Sequence, residues 1–352
     1  MIKAGIVGLG WWGRHIVGSL AGSDKLRIIR GVEPRPDVLN LLPAEARFPV
    51  TSNLDDALQD HEIDAILLAT PHSTHEKQIV RSAQAGKHVF AEKPLTLTRD
   101  SAERAINACD AAGVVLGIGH ERRFEPAMEA IEGLVRSESL GTLMHVESNF
   151  SHDLLANVDP NDWRASPTES PIPALSAMGI HLTDAYIHLF GPIREVFAQT
   201  TQRISRWGSG DTLSVQFLFA SGLTGYLSTL LVTSMFVRFQ VFGSSGWAQA
   251  RSDVHPGQEG ITRLSLSRSG KILQVRELEY RDTVLTNLEA FANAAEGETP
   301  YPFTREEKLG NVATMEAIVE SARTGTPVRV EYGTDSDSRP VTVNEAKPMN
   351  KR

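Results

Sequence analysis

Short hydrophobic runs alternate with amphipathic stretches over the first third of the chain. The predicted strands cover residues 2–7, 26–32, 65–69, 88–91 and 114–118. Two of the stretches between them, residues 75–85 and 99–112, have helical spacing and are followed by Gly86 and Gly113, where a helix C-cap favours glycine. Strands that alternate with helices build a parallel sheet covered on both faces. The pattern therefore predicts an α/β, doubly wound N-terminal region.

Beyond residue 142 hydrophobic and polar residues alternate, and glycine-containing turns separate the alternating stretches. These stretches cover residues 213–219, 223–231, 236–242, 261–267 and 272–278. Such spacing predicts an antiparallel meander. Helical spacing returns at residues 284–295 and 305–323, and Gly325 follows the second helix. The second region is thus predicted to be α+β.

The length of the chain and the change in pattern indicate two domains. At 352 residues the chain exceeds one ordinary hydrophobic core, and its 41% hydrophobic and 22% charged residues are typical of a folded globular protein. We predict a first domain over residues 1–121 and a second domain over residues 122–330. Residues 331–352 are polar and without a sustained period, so we expect a flexible tail.

The charge and the single cysteine restrict the partners and the compartment. A net charge of −8 repels phosphate backbones and anionic lipids, so we expect neither a nucleic acid nor a membrane as partner. Cys109 is the sole cysteine and cannot form a disulfide within the chain. Neither a signal-peptide pattern nor an apolar stretch of membrane-spanning length is present in the sequence. We therefore expect a cytoplasmic protein.

A glycine-rich segment of sequence GLGWWG follows the first predicted strand and opens a helix. Gly8 permits a tight turn, Gly10 allows the backbone to approach a pyrophosphate, and Gly13 allows the helix to pack closely on the strand. Trp11 and Trp12 lie in the first turn of that helix, whose unpaired N–H groups bind phosphate. The segment predicts a dinucleotide site more strongly than a structural turn.

Two charged residues after the second strand bear on the choice of dinucleotide. Glu33 ends that strand, where a carboxylate accepts hydrogen bonds from both ribose hydroxyls and repels a 2'-phosphate. Arg35 lies two residues further on and would instead attract that phosphate. The pattern favours NAD and leaves NADP open.

Further motifs follow in a characteristic order. Glu92-Lys93-Pro94 follows the strand at residues 88–91, at the sheet edge where ligands of such folds bind. With the glycine segment and Ala69-Thr70-Pro71, it resembles the glucose-fructose oxidoreductase/inositol dehydrogenase/MocA family. The resemblance extends to about residue 330 and includes Gly86-Lys87-His88, Arg123-Phe124 with Pro126, Asp162-Trp163-Arg164, Gly179-Ile180-His181 with Asp184, and Ser321-Ala322-Arg323-Thr324-Gly325.

The resemblance implies an NAD(P)-dependent dehydrogenase or reductase that acts on sugars, cyclitols or related polyhydroxylated small molecules. It also implies that the second domain is an open, mostly antiparallel sheet that packs on a Rossmann domain and mediates homodimers or homotetramers. Thr70, Pro71 and His72 would then lie near the cofactor.

The same resemblance points to the reacting groups. Oxidation of a secondary alcohol needs a base within hydrogen-bond reach of the O–H group. Lys93 is the first candidate, because burial beside a cationic nicotinamide lowers the pKa of a lysine, and Glu92 would orient or compensate it. His181 falls at the family's catalytic histidine and would bond the reacting oxygen or relay its proton.

One position departs from the family pattern. The family often carries an aspartate four residues before the histidine, whereas this chain has Ala177, whose methyl group cannot orient a hydroxyl or support Lys93 electrostatically. We therefore expect His152, Asp153 or Arg164 of the preceding loop to supply a polar contact. Arg122, Arg123 and Arg164 are candidate anchors for a hydroxyl-rich or carboxylate-bearing substrate, and Asp184 is a further candidate contact. Alternatively, Arg123 braces the domain junction.

Alternative interpretations remain at this point. His181, Asp184 and His188 share a helical face, a spacing that also occurs in metal sites, but hydride chemistry with Lys93 needs no metal and we expect none. A less polar pocket at Ala177 would suit a dehydrogenase of cyclic dihydrodiols from aromatic breakdown. A regulator that senses NAD(P) without catalysis is a third possibility, against which both Lys93 and His181 speak.

Overall fold

The computed structural model describes residues 1–42, 48–156, 158–159, 161–204, 210–268 and 274–332. Within these residues the chain forms two β-sheets, one of six strands and one of nine. The smaller sheet comes from the first third of the chain, and the larger sheet comes from the remainder.

The first sheet has the parallel order of a Rossmann fold. Its strands are β1 (Ile2–Val7), β2 (Leu26–Val32), β3 (Val50–Thr51), β4 (Ala65–Leu68), β5 (His88–Ala91) and β6 (Leu116–Ile118). They lie in the order β3-β2-β1-β4-β5-β6, and neighbours pair in parallel. The strand order reverses between β1 and β4, so a crevice opens at their carboxyl ends.

Helices connect these strands: α1 (Trp11–Ser19), α2 (Pro36–Leu39), α3 (Leu54–Leu58), α4 (His75–Gln84) and α5 (Arg99–Ala112). Thr98 and Ser101 form a capping box at the start of α5, and Gly113 ends the helix with φ of 67°. Because this left-handed conformation favours glycine, the predicted C-cap is confirmed.

The second sheet is open and mostly antiparallel. Its strands are β7 (Leu143–Ser151), β8 (Ile193–Thr201), β9 (Thr212–Phe219), β10 (Thr224–Leu230), β11 (Phe236–Gly243), β12 (Gly246–Ser252), β13 (Ile261–Arg268), β14 (Gln274–Glu279) and β15 (Val328–Arg329). They lie in the order β14-β13-β12-β11-β7-β10-β9-β8-β15.

The predicted meander is wrong at its centre. β10 and β11 are consecutive in sequence, but β7 lies between them and pairs in parallel with β10. Val146 and Phe150 of β7 are almost fully buried in the core, so this strand needs a central place in the sheet. Adjacency in sequence favours pairing only as a tendency, and burial of β7 overrides it here.

The remaining helices are α6 (Pro126–Arg136), α7 (Ile180–Phe190), α8 (Thr283–Ala295) and α9 (Arg305–Thr324). α8 returns to the first sheet, where Phe291 packs against Phe90 with ring centroids 5.6 Å apart. α9 begins at a capping box of Thr304 and Glu307 and ends at Gly325, as the sequence indicated. The two halves of the chain are therefore joined by packing as well as by sequence.

The end of the described chain corrects part of the predicted tail. The hydroxyl of Tyr332 accepts a hydrogen bond from the N–H of Ile193 at 2.7 Å and donates one to the Ile193 carbonyl at 2.9 Å. An aromatic ring with two such bonds is fixed against the sheet, so Tyr332 does not belong to a flexible segment. The rest of the predicted tail, residues 333–352, lies outside the described residues.

Candidate active site between the two sheets

A cavity lies at the carboxyl ends of β1, β4 and β5 and is closed on its other side by the second half of the chain. From the first sheet it is lined by Trp11, Trp12, Ala69, Thr70, His72, Glu92 and Lys93. From the second half it is lined by residues that include Glu121, Arg122, Phe150, His152, Trp163, Arg164, Ala177, His181 and His255. Most of the sequence-predicted site residues therefore meet in one place.

The glycine segment has the geometry that its sequence predicts. Gly8 has φ of 89°, and a Cβ on it would collide with the carbonyl oxygen of Ala69. A Cβ on Gly13 would collide with the carbonyl oxygen of Gly8. Beside Gly10, in contrast, the nearest atom to a Cβ would be Arg35 Nη2 at 3.7 Å, so the backbone there is open to a ligand.

This open backbone fits a dinucleotide pyrophosphate. α1 begins directly after Gly10, so the N–H groups of its first turn have no acceptor within the helix. Free N–H groups and the positive end of the helix dipole favour a phosphate at this position. Trp11, 62% exposed, and Trp12 border the same opening, with ring centroids 5.5 Å apart.

Glu33 is buried at the end of β2 and is held in one orientation. Its carboxylate accepts hydrogen bonds from the N–H of Leu9 at 2.9 Å and from the N–H and Nε of Arg35 at 3.1 and 2.9 Å. Burial alone would raise the pKa of Glu33, but these bonds hold the pKa below its usual value. An ionised carboxylate therefore stands beside the glycine segment, and Arg35 partly neutralises it.

The segment after β4 connects the cofactor side to the opposite wall. Thr70 and His72 line the cavity, whereas Pro71 precedes a short 3-10 turn and is not among the lining residues. Nδ1 of His72 lies 2.7 Å from the Glu169 carbonyl oxygen, and its ring meets Trp163 edge-on at 4.8 Å. Burial lowers the pKa of His72 to about 3, so the ring is a neutral structural contact.

Lys93 projects from the end of β5 towards the opposite wall. Its Nζ donates hydrogen bonds to the carbonyl oxygens of Ser176 and Ala177, at 3.1 and 3.0 Å. Both carbonyls belong to a π-helical turn, Leu175–Gly179, that precedes α7. Burial lowers the pKa of Lys93, while Glu92 and Glu121 act in the opposite direction. Two of the three ammonium donors are thus used, which leaves one for a ligand.

Glu92 is fully buried next to Lys93. Burial, followed by the charge of Glu121, raises the pKa of Glu92, while the charge of Lys93 lowers it. One carboxylate oxygen of Glu92 also accepts a hydrogen bond from the N–H of Lys93 at 3.2 Å.

His181 lies in the first turn of α7 and is 4% exposed. Burial, followed by the charges of Lys93 and Arg122, holds the pKa of His181 well below its usual value, so the imidazole is neutral. Nδ1 is buried and accepts or donates no hydrogen bond among the described residues. The nearest acidic atom is Glu121 Oε2, at 4.0 Å.

Of the predicted substrate contacts, His152 and Arg164 line the cavity and Arg123 and Asp184 do not. Arg123 and Asp184 form a buried, two-bond ion pair with N···O distances of 2.7 and 2.6 Å. Arg123 also contacts Glu307 at 3.1 Å. Their hydrogen-bonding groups are therefore directed at each other and at α9, which favours the alternative role of Arg123, bracing the domain junction.

Sequence reasoning missed several residues in the cavity wall, among them Glu121, Phe150 and His255. Glu121 begins the 3-10 turn Glu121–Phe124, one residue before Arg122. Phe150 ends the central strand β7, and His255 follows β12, with its ring 5.7 Å from those of Phe150 and His152. The position of β7 in the sheet brings them together, and no local motif in the sequence marks them.

Two further properties of the described residues bear on chemistry. They contain no group of His, Cys, Asp or Glu side chains arranged to hold a metal ion. His188, which shares a helical face with His181, lies 2.9 Å from Glu307 instead. In the same described part of the chain no helix is long and apolar enough to cross a membrane.

Comparisons with known proteins agree with this geometry. The family model "Oxidoreductase family, NAD-binding Rossmann fold" matches residues 2–120, and "GFO/IDH/MocA C-terminal domain" matches residues 128–249. D-xylose 1-dehydrogenase (NADP(+)) 2 of Haloferax volcanii is 30% identical over 78% of this chain and 82% of its own length. Myo-inositol 2-dehydrogenase of Thermotoga maritima is 27% identical over 85% of this chain and 90% of its own.

Among solved structures, aldose-aldose oxidoreductase from Caulobacter crescentus, in complex with glycerol, superimposes with a TM-score of 0.82. It is 25% identical and covers 93% of this chain and 99% of its own. Similarity therefore extends over both sheets.

Proposed function

The chain belongs to the GFO/IDH/MocA family of NAD(P)-dependent oxidoreductases, and from this premise we propose that it interconverts a secondary alcohol and a ketone of a sugar, cyclitol or related polyol. The observation that carries the proposal is the placement of Lys93 and His181 in the wall of a cavity that Trp11 and Trp12, the residues directly after Gly10, also line. A bound dinucleotide would accept or deliver the hydride.

Lys93 supports the chemistry at the reacting oxygen. Its two hydrogen bonds to backbone carbonyls fix Nζ in place, and in the neutral amine the remaining position is a lone pair that can accept a hydrogen bond from a substrate hydroxyl. Burial lowers the pKa of Lys93, so the amine can take up and return the proton of the alcohol. His181 would bond the same oxygen or relay its proton.

Side chains around this point suit a hydroxyl-rich ligand. Arg164 contacts Asp162 at 3.3 Å through one Nη and stacks on Trp163 with 4.3 Å between guanidinium carbon and ring centroid. A stacked guanidinium presents its remaining N–H groups in a fixed plane, which binds pairs of oxygens well. His152, whose pKa falls to about 4 through burial, is neutral and offers a further polar contact.

We propose NAD as the preferred dinucleotide, with NADP possible. The ionised carboxylate of Glu33 lies beside the glycine segment and would repel a 2'-phosphate. The neighbouring Arg35 weakens that repulsion because it forms an ion pair with the same carboxylate at 2.9 Å.

We also propose that the chain acts as a homodimer or homotetramer in the cytoplasm. The first proposal rests on the family resemblance, and the second rests on the sole cysteine, Cys109, which is buried and unpaired. Sedimentation equilibrium of the purified chain tests the first. A monomer at micromolar concentration would contradict it.

The direct test of the function is a panel of sugars, inositols and cyclic dihydrodiols, incubated with NAD or NADP and followed by NAD(P)H absorbance. We expect turnover with at least one sugar or inositol. Turnover with dihydrodiols alone would favour aromatic breakdown, and tight cofactor binding without turnover would favour a regulator. The named relatives are sugar and inositol dehydrogenases, which favours neither alternative.

A further inference from the structure

Glu121 places a carboxylate in the cavity wall. The residue is only 5% exposed, and no described residue donates a hydrogen bond to its carboxylate oxygens. Its nearest nitrogen atoms are Arg122 Nε at 3.7 Å and His181 Nδ1 at 4.0 Å. A buried carboxylate normally accepts several hydrogen bonds, so this side chain is placed for a contact that the free protein does not complete.

The facing nitrogen of His181 is unsatisfied as well. Nδ1 is buried and has no hydrogen-bond partner in the described part of the chain. Glu121 is the one described carboxylate within 4.0 Å of the ring. Hydrogen bonds between reacting groups are often long in a free enzyme and shorten when a ligand binds. Two unsatisfied groups that face each other across this gap therefore form a natural donor and acceptor pair.

We propose that Glu121 accepts a hydrogen bond from Nδ1–H of His181 and thereby fixes the imidazole tautomer whose Nε2 lone pair is free. Electrostatics favours this tautomer, because the other one would direct the Nδ1 lone pair at a carboxylate. Glu121 is then a positioning residue that acts through His181. It supplies an acceptor that position 177 cannot supply, since that position carries the methyl group of Ala177.

Positive charges near the His181 ring increase the need for a negative group, which the Glu121 carboxylate supplies. Lys93, Arg122, His120 and His255 all face His181 and all disfavour a positive imidazole. No other described acidic side chain forms an ion pair with the ring. The Glu121 carboxylate is thus the group placed to stabilise the imidazolium if Nε2 receives a proton.

The role of the Glu121–His181 hydrogen bond in the reaction rests on the proposed function. During oxidation the substrate O–H bond breaks and its proton ends on Nε2 of His181, directly or by way of Lys93. The substrate carbon would give up its hydrogen with the C–H electron pair, as hydride, to a bound nicotinamide dinucleotide and would become a carbonyl. The proton then passes to solvent, which returns His181 to its neutral form.

The tautomer can be measured without turnover. In protein labelled with ¹⁵N-histidine, two-bond ¹H–¹⁵N correlation spectra distinguish Nδ1–H from Nε2–H, and the loss of one signal set in H181Q assigns His181. We expect wild-type His181 as Nδ1–H at neutral pH. E121L should shift it to Nε2–H, and E121D, which keeps a carboxylate, should restore part of the wild-type population.

A control variant tests whether Glu121 influences the tautomer of His181 only indirectly, by way of its contact with Arg122. Glu125 is a second glutamate near the same turn, partly buried with a side chain 16% exposed, and accepts a hydrogen bond from Arg122 Nη1 at 3.0 Å. E125Q should leave the tautomer of His181 unchanged. An equal shift in E125Q and E121L would overturn the assignment to Glu121.

The kinetic readout follows the same logic. We expect E121L to lower kcat about 10²-fold or more, as loss of an oriented base does, with the Kd for NADH close to wild type. A wild-type spectrum that shows His181 as Nε2–H would overturn the inference by itself. The inference can therefore be tested even if E121L does not fold. Nδ1–H in a protein that turns over none of the polyols would refute the proposed function and leave this inference standing.

Discussion

The two ends of the cavity are built from different parts of the polypeptide. At the end nearer the glycine segment, the cofactor contacts that we propose are mainly backbone, namely the open chain at Gly10 and the first turn of α1, with one oriented carboxylate at Glu33. At the substrate end the surface consists of side chains, among them Arg122, His152 and His255, which come from distant segments.

This difference indicates how the two ends respond to substitution. Backbone N–H groups bind phosphate whatever the side chains are, so the cofactor end depends mainly on where glycine is required. The substrate end depends on side-chain identity, and each replacement there changes shape or hydrogen bonding. The substrate range can therefore change while the cofactor site is retained, and Ala177 is one such change.

Lys93 lies where the two ends of the cavity meet. Its replacement should distinguish catalysis from cofactor binding most clearly. We expect Lys93→Met to lower kcat by about 10²- to 10⁴-fold, because the group that exchanges the proton is lost. NADH affinity should change little, since the dinucleotide is held mainly by backbone. Stopped-flow kinetics and NADH titration of the same preparation measure both. Full turnover in this variant would remove Lys93 from the mechanism.

Arg122 and Arg123 are adjacent in sequence, but we expect the first to contribute to substrate binding and the second to stability. Arg123 is buried in an ion pair with Asp184, so Arg123→Met should lower the free energy of unfolding by about 3–5 kcal/mol. Arg122 lines the cavity, and Arg122→Met should affect KM more than stability. Urea unfolding and substrate titration of both variants make the comparison. Equal stability losses would show that the two arginines have the same role.

The same ion-pair network should weaken in acid. Burial alone would raise the pKa of Glu307, but bonds from His188 and Arg123 lower it from 4.5 to about 2. A depressed pKa means that the stabilisation is present above about pH 4.5 and is lost as the pH falls towards 2. In Arg123→Met the loss of stability on acidification should be smaller, because Arg123 no longer lowers the pKa of Glu307. Urea unfolding at pH 6 and pH 3 checks the difference.

Dinucleotide choice should depend on a single side chain of the cofactor end. We expect Glu33→Ala to change the ratio of NADH to NADPH affinity by about 10- to 100-fold towards NADPH, since ribose hydrogen bonds are lost and Arg35 is released to bind phosphate. Dissociation constants for both dinucleotides measure the ratio. An unchanged ratio would mean that Glu33 does not contact the ribose.

The smallest effect is expected for Arg164, at the open side of the substrate end. Arg164→Ala should raise KM about tenfold with little change in kcat, because a partly exposed guanidinium contributes to binding more than to the chemical step. The Kd for NADH should not change. A fall in kcat with constant KM would place Arg164 at the reacting atoms instead.

The sequence predicted the cofactor end better than the substrate end. The bounds of β1, β2 and β5 match the hydrophobic runs residue for residue, because a buried parallel strand leaves a continuous apolar signal. The position of β7 between β10 and β11 leaves no such signal, since it depends on long-range pairing. His255 enters the cavity only because of that pairing, so no local pattern indicated it.

Individual site residues follow the same division. Gly8, Gly10 and Gly13 could be predicted because the motif requires glycine at three points of the backbone: the tight turn, the approach to a ligand and the close packing of helix on strand. The pairing of Arg123 with Asp184 away from the cavity wall could not be predicted, because a sequence shows which residues carry charge but not which charges pair with each other. Glu121 was missed for the converse reason: its significance depends on the distance to His181, which spans 60 residues of sequence.

The central claim is that this chain binds a nicotinamide dinucleotide at the glycine segment. Trp11 and Trp12 border that segment, so their fluorescence should report binding by energy transfer to the nicotinamide of NADH. Titration of the purified protein should give saturable quenching at micromolar NADH, with weaker binding of NADPH. The absence of measurable affinity for either nucleotide, in protein shown to be folded, would contradict the claim.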